Sequence, residues 1–110
     1  MTIEVNDDVG RFIAEMLDER GRQDTQHGGP AHDDGHSRGD WYDFVEYQLG
    51  HGFQEELLAR CYDRSDPALP AEWLAQFESR MVKIAALALA AVESDRRKYG
   101  SAIAGDQRVQ

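Results

Sequence analysis

Between residues 19 and 41 the chain concentrates the side chains able to do chemistry. They run Glu19-Arg20-Gly21-Arg22-Gln23, then His27-Gly28-Gly29-Pro30-Ala31-His32-Asp33-Asp34-Gly35-His36, then Asp40-Trp41. Imidazole and carboxylate together suit zinc, manganese or iron(II). His32, Asp33, Asp34 and His36 are therefore candidate metal ligands, and Glu15 or Glu19 is placed to complete a shell. The spacing matches no ligand motif of defined geometry. His32 and His36 are four apart, but Gly35 and Pro30 argue for a loop. The competing reading is structural, since Asp and His in glycine-rich turns commonly cap helix ends and bond loop amides. Arg20, Arg22 and Gln23 also have two readings. Their donors suit a clamp on a phosphate or carboxylate ligand. They equally suit pairing with Asp33 and Asp34, which pins the loop to the preceding helix, and the short sequence separation favours this pairing. His27 and His51 stand alone beside glycines, so surface placement is their default. The chain has no phosphate-cradling GxxxxGK[ST] loop and no recognisable serine nucleophile elbow.

The elements that must position these groups read as helices. Val9, Phe12, Ile13, Met16 and Leu17 form a one-faced helical stripe. Asn6 or Asp7 caps its start, and the helix is expected over 7–23. Residues 24–39 hold four glycines and Pro30, and are expected as a loop. Asp40 is the expected cap of a second helical stretch over 40–63, broken around Gly50 to Gly52. Its apolar positions are Trp41, Phe44, Val45 and Leu49, then Phe53, Leu57, Leu58 and Cys61. Asp66-Pro67 and Leu69-Pro70 make a connector that no helix crosses easily. A long helix is expected over 71–98, with a seam of Leu74, Phe77, Met81, Ile84, Ala88 and Ala91, a cationic end at Arg96, Arg97 and Lys98, and a stop at Gly100. Alanines in its apolar run let neighbouring backbones approach closely. The expectation is an all-α, antiparallel bundle of three to four helices in one domain over 1–100, followed by a flexible tail over 101–110. Most of its core is expected from Val9, Phe12, Ile13, Met16, Trp41, Phe44, Val45, Leu49, Phe77, Met81, Ile84 and Leu87.

Charge narrows the partners. The net charge is −9, and residues 1–79 carry 18 acids against 6 bases while residues 80–110 carry 3 acids against 6 bases. Direct binding of nucleic acid through its phosphates is disfavoured, and a basic partner or a simply solvated acidic face fits better. The apolar run 84–92 is too short to span a membrane, and Met1 is not followed by a basic and then apolar leader. Together with one cysteine, Cys61, which has no partner for an internal disulfide, this leads us to expect a cytoplasmic protein.

Three segments resemble small phage and prophage proteins of the MazG-like group, relatives of the all-α nucleoside triphosphate pyrophosphohydrolases. They are Glu19-Arg20-Gly21-Arg22-Gln23-Asp24, the His32-Asp33-Asp34 segment before Trp41, and Arg80 followed by Ile84 to Glu93. Active members of that family hold magnesium with an E-E-x-x-E motif on one helix and E-x-x-D on a later one. Laid on this chain, the first motif falls at Tyr47, Gln48 and His51, and the second falls near Arg80 and Lys83. A register through Glu55 and Glu56 lacks the third acid. Magnesium wants oxygen ligands, and cations at two such positions repel it. The resemblance therefore implies the fold and a mobile-element origin, without inherited catalysis. The expected function is binding, with inhibition as one form of it, of a basic or nucleic-acid-handling protein through Asp8, Glu15, Asp18, Glu19, Asp43, Glu46, Glu55 and Glu56. A homodimer is a second expected association, because three short helices leave part of the long one open. The alternative is a metal-dependent pyrophosphohydrolase using zinc, manganese or magnesium at the His32-Asp33-Asp34-His36 loop. A second alternative is a structural helical domain with no ligand.

Overall fold

The asparagine before the first helix sets its start. Asn6 accepts a hydrogen bond from the Val9 amide at 2.9 Å, and Asp7 and Asp8 place negative charge on the first turn. In the computed structural model, which describes residues 4–50, 60, 62 and 70–100, this opens α1 (Asp7–His27). It is followed by α2 (Gly29–Asp33), α3 (Arg38–Gly50) and α4 (Ala71–Tyr99). The described residues contain no strand, and the fold is all-α. Gly50 ends α3. Of the rest of the second helical stretch expected to residue 63, only Arg60, which is helical, and Tyr62, in a turn, are described; His51, Glu55, Glu56, Cys61 and the tail over 101–110 lie outside the described residues.

The glycine-rich segment is mostly helical, which corrects the loop expected over 24–39. α1 runs on to His27 and stops at Gly28, whose φ of 103° lies in the left-handed region and whose amide donates to the Asp24 carbonyl at 2.9 Å. Gly29 follows at φ 73°. Two successive positive φ angles reverse the chain cheaply only with glycine at both places. Pro30 then sits in the first turn of α2, where its missing N–H would have had no helical partner anyway. Ser37, rather than Asp40, caps α3. The Ser37 amide donates to Asp40 at 2.8 Å and the Asp40 amide donates to the Ser37 hydroxyl at 3.1 Å. This reciprocal pair makes Asp40 the third residue of the helix rather than its cap. The bonds from Ser37 hold the Asp40 carboxyl below its ordinary pKa.

α4 is the common support, since α1, α2 and α3 all pack on it. The face it buries is not the expected seam. Among the described side chains of α4, Ala86, Ala90 and Ser94, spaced by four, are the buried ones, while Leu74 is 45% exposed and Phe77 43% exposed, and Ala88 is also exposed. Small side chains let the neighbouring backbones come close, and close approach excludes water along that row. Of the expected core, Trp41 is buried. Val9, Met16, Phe44, Val45, Met81, Ile84 and Leu87 are half-buried, and Phe12, Ile13, Leu49 and Phe77 are exposed. Among the described residues no helix is long and apolar enough to cross a membrane.

Candidate functional site

Arg20 is the only described residue of α1 that is buried, and three helices supply its carboxylates. It donates to Asp24 one turn further along α1 and to Asp33 of α2 at 2.9 Å. Its Nε faces Glu93 of α4 at 3.4 Å, an ion-pair distance without a hydrogen bond. Burial alone lowers its pKa, but Asp24, Asp33 and Glu93 together outweigh that and hold it above the ordinary arginine value. Of the cations expected to pin the segment, Arg20 does so through Asp33. Arg22 does not. Its Nε and Nη2 donate to Glu19 at 2.7 and 2.6 Å, and its Nη1 donates to Gln26 at 2.7 Å. That fork keeps the Glu19 carboxyl below its ordinary pKa despite partial burial.

The polar end of α4 completes the docking of α2. Asp34 accepts from the buried Ser94 hydroxyl at 2.7 Å and from Arg97 at 2.8 Å, and both bonds depress its pKa, that from Arg97 most. Lys98 donates to the His36 carbonyl at 2.8 Å. Arg38 grips Asp95 at 2.7 and 3.2 Å with its guanidinium over the Tyr99 ring, and the bond lowers the Asp95 pKa. Glu93, Ser94, Asp95, Arg97 and Lys98 were not singled out from sequence for this role. The signal is Ser94 itself, a polar residue continuing the small-residue spacing of Ala86 and Ala90.

Beside this network a cleft of about 510 Å³ opens, lined by residues of α1, α2, α3 and α4. That size falls in the range of small-molecule sites. Glu19, Arg22, Gln23 and His27 face it from α1, Trp41, Asp43, Phe44, Tyr47 and Gln48 from α3, and Lys83 and Leu87 from α4. His32 and His36 line it in a row of rings. His27 stacks on His32 with centroids 5.7 Å apart, His32 meets His36 edge-on at 4.8 Å, and His36 stands edge-on to Trp41 at 5.3 Å and to Phe44 at 4.9 Å. The four candidate metal ligands do not converge. Asp33 is held by Arg20, Asp34 turns to Ser94 and Arg97, and His32 and His36 face each other. No group of three or more His, Cys, Asp or Glu among the described residues is placed to hold a metal. Of Arg20, Arg22 and Gln23, the last two line the cleft and Arg20 lies outside its wall.

The acids expected on one binding face divide. Asp8, Glu15, Asp18, Asp43 and Glu46 are exposed. Glu19 departs from them, because its side chain is 12% exposed, paired with Arg22 and turned to the cleft. No family model, curated protein or solved structure matches the chain.

Proposed function

We propose that the chain is a small non-catalytic binding protein on a MazG-like, antiparallel helical scaffold of phage or mobile-element origin, and that α1 carries its protein-binding surface. The observation that carries this reading is the uncovered stripe of α1. Phe12 is 40%, Ile13 38% and Leu17 52% exposed, although their helical spacing marks them as one apolar face. Asp8, Glu15 and Asp18 lie on the neighbouring side of the same helix and are solvated. Contiguous apolar surface rimmed by charge is the usual composition of a protein-docking patch, and this rim selects a basic partner. A second copy of the chain is the other protein able to cover the stripe.

The scaffold reading has support in two contacts. Arg38 meets Asp95, and Arg80 donates at 3.3 Å to the Gln48 carbonyl and side chain, so α3 runs against α4. Tyr47, Gln48 and Lys83, where the resemblance places metal-binding carboxylates, share the cleft wall and bring it no acid. The competing enzyme reading, a metal-dependent nucleoside triphosphate pyrophosphohydrolase, is favoured by the size of the cleft and by Arg22 and Lys83 within it. It is opposed by Asp33, one of whose oxygens accepts from Arg20, and by Asp34, both of whose oxygens accept from Arg97. Incubating the protein with nucleoside triphosphates and magnesium or manganese separates the two. No monophosphate or pyrophosphate is expected, and turnover abolished by Asp33→Ala or Asp34→Ala would establish the enzyme instead. A pull-down of a basic partner is expected to weaken with salt and on changing Glu15 and Asp18 to Lys. Capture indifferent to both removes the acidic rim from the reading.

A further inference from the structure

The geometry points to a divalent transition-metal site made by His32 and His36, of a kind different from the mixed His and Asp site that sequence suggested. The two Nε2 atoms stand 3.2 Å apart. Two Zn–N bonds of about 2.0–2.1 Å meeting at a tetrahedral angle separate their nitrogens by about 3.4 Å, so the pair already has the bite of a chelate. Without metal the same spacing is an N–H···N hydrogen bond between the rings, in which one Nε2 must carry a proton.

A second observation concerns His36. Its other nitrogen, Nδ1, lies 3.8 Å from the Asp40 carboxylate, which the Ser37 cap holds in place. At that separation the carboxylate makes no hydrogen bond to the ring, but it stands on the side where a metal-binding imidazole is commonly backed by an acid. His36 is also fixed edge-on by Trp41 and Phe44, while the His32 ring belongs to an exposed residue. One ligand is preset and the other turns to meet it. Both rings line the cleft, so the two remaining tetrahedral positions are open to water or to an occupant of the cleft.

Two imidazoles without carboxylate select borderline metals, zinc, nickel or copper(II), over magnesium and calcium. The nearby acids cannot convert the site to a hard-ion site while Asp33 and Asp34 are held by Arg20 and Arg97. This site is independent of the protein partner proposed above.

Isothermal titration of untagged protein with zinc chloride tests it. One zinc per chain is expected, with binding weakened at least tenfold in His32→Ala and in His36→Gln, and magnesium is expected not to compete. Because His36 packs on Trp41 and Phe44, the exposed His32→Ala is the decisive variant, with its helicity checked by circular dichroism. Long-range proton–nitrogen spectra give a second reading, in which zinc shifts the Nε2 resonances of both rings together. No saturable zinc binding, or binding that His32→Ala leaves unchanged, overturns the proposal. So does zinc that moves the nitrogen resonances of neither ring.

Discussion

The two ends of α4 work in opposite ways. From Ala86 to Tyr99 it buries small side chains and spends its polar groups on other helices: Glu93 on Arg20, Ser94 and Arg97 on Asp34, Asp95 on Arg38. Toward its start it carries larger apolar residues, Leu74 and Phe77, and these are exposed, as are Phe12, Ile13 and Leu17 of α1. The region with the least apolar bulk is the one most tightly assembled. Among the described residues, bulk hydrophobicity therefore does not mark what is buried, and the exposed apolar stripe of α1 is what the proposed binding function rests on.

Breaking the tight region has the largest expected effect. Arg20→Ala leaves Asp33 buried near Asp24 and Glu93 without its hydrogen-bonded cation, and only the more distant Arg97 still acts on Asp33 and Glu93. Losing one partner of a buried ion pair costs about 3–5 kcal/mol, a large part of the stability of a small domain. Urea denaturation followed by circular dichroism is expected to show the variant unfolded or nearly so. A loss below about 1 kcal/mol would mean that the Arg20 node is not what joins α1, α2 and α4. Next comes Ala90→Leu. Ala90 is 2% exposed, and extra methylenes in a closely packed row cost about 1–3 kcal/mol. The same exchange at exposed Ala88 is expected to change the midpoint little, which separates the true seam from the expected one.

Acid should loosen the tight region before the rest. Asp34, Asp40 and Asp95 have folded-state pKa values below their ordinary value of 3.8. Their contribution is thus complete above about pH 4 and is lost as pH falls through the depressed folded values. Hydrogen exchange at α2 and the start of α3 is expected to accelerate below about pH 4 while the middle of α4 stays protected. Uniform acceleration along the chain would contradict this.

Much of this was legible in the sequence, and each miss has its own physical cause. The long helix expected over 71–98 is found as Ala71–Tyr99 because its apolar run and cationic end are strong local signals. Asn6 as cap and the Arg20–Asp33 pairing also follow from residue type and proximity. The segment 24–39 misled because glycine and proline mark both loops and tight helix-to-helix reversals, and Gly28 and Gly29 serve the second purpose. The cap was misplaced because Ser37 and Asp40 satisfy each other, and only the geometry tells which lies outside the helix. The buried face of α4 was missed because periodicity weighs large side chains, whereas packing chose Ala86, Ala90 and Ser94. The His32–His36 spacing of 3.2 Å was beyond reach, since it depends on the turn between α2 and α3.

The smallest expected effect on stability lies in the open region, where it does most to sharpen the contrast. Leu17→Ser is expected to shift the folding free energy by less than about 0.5 kcal/mol, as for other exposed positions. It should nevertheless reduce partner capture severalfold. A loss of stability comparable with Ala90→Leu would place Leu17 in the core after all.

Hydrogen exchange on the chain alone and in its captured complex tests the central claim most directly. If α1 carries the docking surface, the amides from Phe12 to Leu17 slow at least tenfold on complex formation, and those of α2 and the start of α3 change little. Protection gained around His32, His36 and Trp41, with Phe12 to Leu17 unaltered, would place the partner on the cleft and contradict the account.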